Sequence, residues 1–170
     1  MERRNNAVAF MGKPMTLLGP EIKTGQQAPD FTVLSTSLEA VKLSDHAGKV
    51  RIISVVPSVD TAVCDLQTRR FNEEAAKLNG ITVLSISVDL PFALAKYCAA
   101  QGIENVKTLS DHKDLEFGLN YGFVIEELRL LARGIVVVDK EGVVRHVEYV
   151  KEVTEHPDYD KALTVAKEYL

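Results

Sequence analysis

Residues 50–71 read VRIISVVPSVDTAVCDLQTRRF, and a change of rhythm inside that stretch decides the fold. Residues 50–56 are a β-branched run interrupted only by Arg51 and Ser54, which is how a strand covered on both faces reads. Pro57-Ser58-Val59-Asp60-Thr61 then supplies turn chemistry, and Asp60 or Thr61 is suited to cap a helix. From there to residue 79, positions 64, 68, 71, 75 and 78 recur at helical spacing, and Gly80 marks the stop. A second apolar run at residues 81–88 follows at once, so the stretch predicts a β-α-β unit.

Toward the C-terminus, Asp89 is placed to cap a helix that opens at Pro91, carries Cys98 and closes near Gly102. Residues 106–109 predict a short strand, 113–119 a short helix and 120–128 an irregular loop around Gly122. Residues 134–138 are β-branched again, and the turn Asp139-Lys140-Glu141-Gly142 joins them to a strand at 143–150. A closing helix at 158–170 sets Ala162, Val165, Ala166 and Tyr169 on one face. Toward the N-terminus, two alternating apolar stretches flank Gly12-Lys13 as a hairpin in which Pro14 suits an edge, an appendage to the main sheet. Weak strand signals at 31–34 and 41–43 and a turn at 46–49 complete the chain. This order predicts an α/β architecture with a central mixed sheet flanked by helices, a thioredoxin-like fold. It forms a single domain over residues 1–170, with residues 1–20 as an N-terminal β-hairpin extension.

A chain of 170 residues that is 46% hydrophobic can bury one substantial core without staples or a structural metal. Its formal net charge of -4 gives no basic surface for nucleic acid or anionic lipid, so neither is expected as a partner. The opening MERRNNAVAF lacks the apolar run of a secretory signal, which leaves a cytoplasmic location as the expectation. In that compartment two cysteines are not a permanent staple. They are either small buried hydrophobes or reactive thiols.

Cys64 falls in the first turn of the helix that follows the buried strand, where unpaired amides and the positive end of the dipole favour thiolate over thiol. Thr61, three residues earlier, can turn its hydroxyl toward the sulfur or its substrate. The same spacing lets Cys64 simply fill core space beside Phe71, Ala75 and Leu78. Arg133 interrupts an apolar run, and a guanidinium there needs a partner. A thiolate is one; the surface, Glu126 and Glu127 are others.

Pro57-Ser58-Val59-Asp60-Thr61-Ala62-Val63-Cys64 resembles the Pro-x-x-x-Thr-x-x-Cys signature of peroxiredoxins, and Asp65 to Asn72 continue it as in the thiol peroxidase branch. The similarity extends to the N-terminal hairpin, the second cysteine on the next helix and an arginine that begins a later strand. The resemblance implies a thioredoxin-dependent peroxidase that needs no cofactor and no metal. Cys64 is then the peroxidatic cysteine, while Thr61 and Arg133 hold the hydroperoxide with backbone amides and Pro57 shields the pocket. Cys98 is the resolving cysteine, which forms a redox disulfide with Cys64 inside one chain. Hydrogen peroxide and organic hydroperoxides are the implied substrates, and Phe71, Phe92 and Leu119 are apolar neighbours that suit alkyl groups. The family also implies a homodimer, to which apolar residues within 120–131 can contribute unless that stretch packs on its own core. Two cysteines on separate intact helices cannot meet at bonding distance, so local unfolding around both is expected during turnover.

Rival chemistries lack their residues. Dithiol reductases need a second cysteine close to the first, but Asp65, Leu66 and Gln67 follow Cys64. His46, His112, His146 and His156 show no pattern of a Cys-His hydrolase, and no zinc-type spacing occurs. A redox sensor that forms one disulfide and stops is the remaining alternative.

Overall fold

In the computed structural model, which describes residues 1–170, the chain begins with the hairpin β1 (Arg3–Phe10) and β2 (Lys13–Leu18). Then come β3 (Thr32–Leu34), β4 (Ala40–Lys42), a 3-10 turn at Leu43–His46 and β5 (Val50–Val55). The helix α1 (Ala62–Lys77), β6 (Ile81–Ser87), α2 (Pro91–Gln101) and β7 (Val106–Ser110) follow. After α3 (Glu116–Tyr121) the short strands β8 (Val124–Ile125) and β9 (Leu130–Leu131) lead into β10 (Gly134–Val138), β11 (Val144–Tyr149) and α4 (Tyr159–Glu168).

Seven strands form a mixed sheet in the order β11-β10-β5-β6-β7-β3-β4. The pairs β5-β6 and β6-β7 are parallel, with Val50 opposite Ile81 and Val55 opposite Ile86, whereas β10 runs antiparallel to both β5 and β11. Side chains alternate across a strand, so a run buried on both faces must feed two cores. Ile53 and Val55 join the larger cluster with Leu84, Phe117 and Phe123, while Val50 and Ile52 join a second with Phe71, Ala162 and Ala166 of α1 and α4.

The hairpin is more than an appendage. It joins β8 and β9 in a separate four-stranded sheet, β1-β2-β8-β9, and Val8, Met15, Leu17 and Leu18 enter the larger core. Pro14 is tolerated because β8 pairs with β2 only at Leu17 and Leu18, leaving no ladder partner for the missing N–H. The stretch 120–128 also departs from an irregular loop: it holds the end of α3 and all of β8, elements too short to show a period. Phe123, Val124, Ile125 and Leu131 are fully buried, so most of this segment packs on its own core.

Two acidic residues differ from expectation or exceed it. Asp89 does not cap α2, whose N-cap is Leu90 with no side-chain hydrogen bond. Its carboxylate instead accepts from Ser58 Oγ at 2.7 Å and Val59 N–H at 2.9 Å, anchoring the turn between β5 and α1. Asp111 accepts from the Phe117 and Gly118 amides at 3.1 and 2.8 Å, which is why α3 starts later than the composition suggests. Burial outweighs those amides and pushes the Asp111 carboxyl up to about 6. On α4 the buried residues are Ala162, Leu163 and Ala166, while Tyr169 is exposed beyond the last turn.

Candidate active site

The end of β5 leads into a turn that places Cys64 in the first turn of α1. Thr61 is the N-cap: its backbone is extended and its Oγ1 accepts from the Cys64 N–H at 3.3 Å. The oxygen thus accepts at the helix end, while its O–H proton remains free to donate. Cys64 is fully buried and packs with Val56, Val59 and Leu94, a cluster separate from Phe71. Its sulfur sits in a small wall of its own between α1 and α2, not in the general core.

Arg133 supplies the polar side of that wall. It is 2% exposed and makes three hydrogen bonds, from Nε to the Val153 carbonyl at 2.7 Å, from Nη1 to Gln67 Oε1 at 2.9 Å and from Nη2 to Cys64 Sγ at 3.1 Å. None of these partners is a carboxylate. Glu126 instead pairs with Arg3, and Glu127 accepts from the Thr16 amide, so both carboxylates considered as partners for Arg133 are engaged elsewhere. A buried guanidinium without a counter-charge is costly, and Cys64 Sγ is the one ionisable side chain among its hydrogen-bond partners. The next residue, Gly134, has no room for a β-carbon, which would overlap the Glu148 carbonyl and the Phe123 ring.

Gln67 is a site residue that sequence reasoning missed. It lies one turn beyond Cys64, is fully buried, and donates through Nε2 to Ser54 Oγ at 2.8 Å. That bond turns its Oε1 toward Arg133. A polar amide three residues after Cys64 on the core-facing stripe was the available signal.

A pocket of about 200 Å³ opens onto this constellation. Pro57, Thr61 and Arg133 line it, together with Phe10 of the hairpin, Leu130 and Val153. Cys64 lies just beneath these side chains. Phe71, Phe92 and Leu119 do not line it: Phe71 is buried against Tyr159, Phe92 is 69% exposed on α2, and Leu119 packs on the larger core. Its apolar surface comes from the hairpin and the segments that flank β10.

Cys98 is elsewhere. It is half-buried in the last turn of α2, with Sγ 3.1 Å from Thr108 Oγ1, and it lines a different cleft of about 370 Å³. The two cysteines are not bonded to each other and belong to different clusters, and Cys98 lines its own cleft while Cys64 is buried beneath the other pocket. Cys64, Thr61, Arg133 and Pro57 are therefore brought together, and Cys98 is not.

The chain matches the Redoxin family over residues 23–163. The thiol peroxidase of Halalkalibacterium halodurans is 60% identical over 161 residues, 95% of this chain and 97% of that relative. The thiol peroxidase of Bacillus subtilis is 59% identical over 160 residues, 94% of this chain and 96% of the relative. A crystal structure of a peroxiredoxin-like protein from Aquifex aeolicus superposes with a TM-score of 0.92 at 36% identity, covering 100% of both chains. A thiol peroxidase from Chromobacterium violaceum, at 21% identity and 95% coverage of each chain, shares the fold with a TM-score of 0.85. No helix is long and apolar enough to cross a membrane. A buried cysteine at a helix start, held by a guanidinium that has no carboxylate, together with relatives this similar along nearly the whole chain, places it in the redoxin family, among the thiol peroxidases, which are peroxiredoxin enzymes.

Proposed function

We propose that Cys64 is the peroxidatic cysteine and Cys98 the resolving cysteine of a catalytic cycle that thioredoxin completes. The observation that carries this reading is the 3.1 Å contact between Arg133 Nη2 and Cys64 Sγ, made by a guanidinium whose other acceptors are neutral. The Cys64 thiolate attacks the terminal oxygen of a hydroperoxide, forming an S–O bond as the O–O bond breaks, and the departing alkoxide or hydroxide leaves as alcohol or water. Arg133 stabilises the negative charge as it moves from sulfur to the departing oxygen. Thr61 holds the first turn of α1, and Pro57 restricts access from solvent. Because Cys64 is covered by the pocket lining, the peroxide reaches the sulfur through a small outward movement of those side chains.

Cys98 then displaces the hydroxyl of the sulfenic acid to give an intramolecular disulfide, and a thioredoxin dithiol returns both cysteines to thiols. The separate positions of the two sulfurs support local unfolding of the ends of α1 and α2 before they join. The apolar pocket wall suits organic hydroperoxides as well as hydrogen peroxide. The catalytic unit is one domain, residues 1–170, with the hairpin of residues 1–20 as part of its wall. It acts in the cytoplasm as a homodimer and serves antioxidant defence.

A coupled assay tests the cycle. With thioredoxin, its reductase and NADPH, each addition of hydroperoxide gives sustained NADPH oxidation. Consumption of a single equivalent followed by a halt would instead favour the one-shot sensor.

A further inference from the structure

The two cysteines have neighbours that hold their helices together. Asp65, next to Cys64 on α1, accepts a 2.6 Å hydrogen bond from the hydroxyl of Tyr97, next to Cys98 on α2. Arg69, one turn along α1, donates through Nε to both Asp65 oxygens at 3.0 and 3.1 Å, and its Nη2 donates to Gln101 Oε1 in the last turn of α2. The Tyr97 ring packs against the small cluster that encloses Cys64. Burial and then the Asp65 bond raise the Tyr97 phenol above its ordinary value, so the hydroxyl keeps its proton and remains a donor.

We propose that the Asp65–Tyr97 hydrogen bond, braced by Arg69, is a latch that sets how fast the two helices part and hence how long the oxidised Cys64 persists. The proposal rests on the assignment of Cys64 and Cys98 given above. In the step it controls, the Cys98 sulfur attacks the Cys64 sulfenic sulfur. The S–S bond forms as the S–O bond breaks, and the hydroxide takes the Cys98 proton to leave as water. Cys98 is oxidised and Cys64 is reduced from sulfenic acid to disulfide. While the latch is closed, a second hydroperoxide competes, transferring one oxygen to convert the sulfenic acid into sulfinic acid and departing as alcohol or water. The Tyr97 hydroxyl bonds Asp65 rather than Cys64 Sγ, and Tyr97 does not line the pocket, so it is a positioning residue and not a catalytic one.

The test is Tyr97→Phe, which keeps the ring and removes the donor. Rapid mixing of the reduced protein with hydroperoxide, followed by intact-mass analysis, separates first oxidation, disulfide closure and sulfinic acid formation. Disulfide closure is expected to accelerate roughly three- to tenfold, the worth of one half-exposed hydrogen bond to a carboxylate. The ratio of sulfinic acid to disulfide falls by the same factor. A merely structural role moves the melting temperature and leaves that ratio alone. Asp65→Ala provides the second variant: if both residues act through one bond, the double variant is no faster than either single one. A Tyr97→Phe ratio equal to that of the unaltered chain, with the disulfide still forming, overturns the latch alone. Failure of the unaltered chain to form the Cys64–Cys98 disulfide overturns the cysteine assignment and the latch with it.

Discussion

Cys64 and Cys98 are the same chemical group set at opposite ends of two neighbouring helices. Cys64 lies in the first turn of α1, where the backbone presents N–H groups, and a buried guanidinium contacts its sulfur. Cys98 lies in the last turn of α2, where its own carbonyl already receives the Gly102 and Ile103 amides and its sulfur meets only the Thr108 hydroxyl. The helix dipole favours negative charge at the first position and opposes it at the second. That contrast supports the proposed roles, in which Cys64 attacks first and Cys98 waits for an electrophilic sulfur. The difference teaches that residue type says little about a thiol's role, whereas its place along a helix and its hydrogen-bond partner say much.

The comparison breaks most sharply if the two cysteines can be exchanged in role. Cys64→Ser is expected to abolish peroxide consumption, a loss on the order of 10³-fold or more. Cys98→Ser should still consume one equivalent and then fail to recycle with thioredoxin, which intact-mass analysis after a single turnover will show. Turnover by the Cys64 variant would end the assignment. Next in size is Arg133→Met, which should slow the reaction with hydroperoxide by roughly 10²- to 10³-fold, the usual cost of losing a donor aimed at developing charge. Arg133→Lys should recover little, since one ammonium cannot reproduce three divergent N–H bonds to Val153, Gln67 and Cys64. Stopped-flow rates of the first oxidation distinguish the two variants.

A smaller effect is expected from Ala9→Pro. The Ala9 N–H points away from its hairpin partner and donates to the Lys151 carbonyl at 2.7 Å, so the change removes that bond and spares the β1-β2 ladder. First oxidation should slow roughly five- to tenfold while Cys98 chemistry stays intact. Thr61→Ala costs about 1 kcal/mol of stability through the lost cap, read by denaturant unfolding, and Thr61→Ser restores it. Least consequential for the chemistry is Asp111, whose carboxyl bonds only the Phe117 and Gly118 amides and neither sulfur. Its folded value of about 6 lies above that of a free carboxyl, so between roughly pH 4 and 6 the folded chain binds more protons than the unfolded one. Stability contributed by this group is therefore present on the acid side and falls as pH rises through 6, by an amount on the order of 3 kcal/mol. Asp111→Asn should flatten that slope in unfolding measured across pH, with little change in peroxide rate.

What could be read from the sequence was local. The strand-turn-helix at residues 50–71 carries its own period, cap and stop, and the structure forms it as β5 and α1. Arg133 was legible because a charge inside an apolar run demands a partner, although which partner it takes depends on three other segments. Gln67 was within reach as a polar residue on a buried helical stripe. The pocket wall was not, because Phe10 and Val153 meet it through pairings far apart in the chain, and β8 and β9 are too short for any alternation to register. Asp89 was misread for a related reason: its position before Pro91 suggested a cap, but Ser58 and Val59 compete for its carboxylate from a turn thirty residues away.

The hairpin's grip on residues 151–153 carries a consequence for how the enzyme comes into being. Ala9 bonds Lys151 and Val153, and the Val153 carbonyl orients Arg133 beside Cys64. Ribosomes deliver the N-terminal residues first. A nascent chain therefore displays its sulfur long before the segment that aims the arginine has emerged. The contact between Arg133 and Cys64 therefore gains its bracing only after residue 153 has been made, so under the proposed assignment the reactive sulfur is completed late in synthesis.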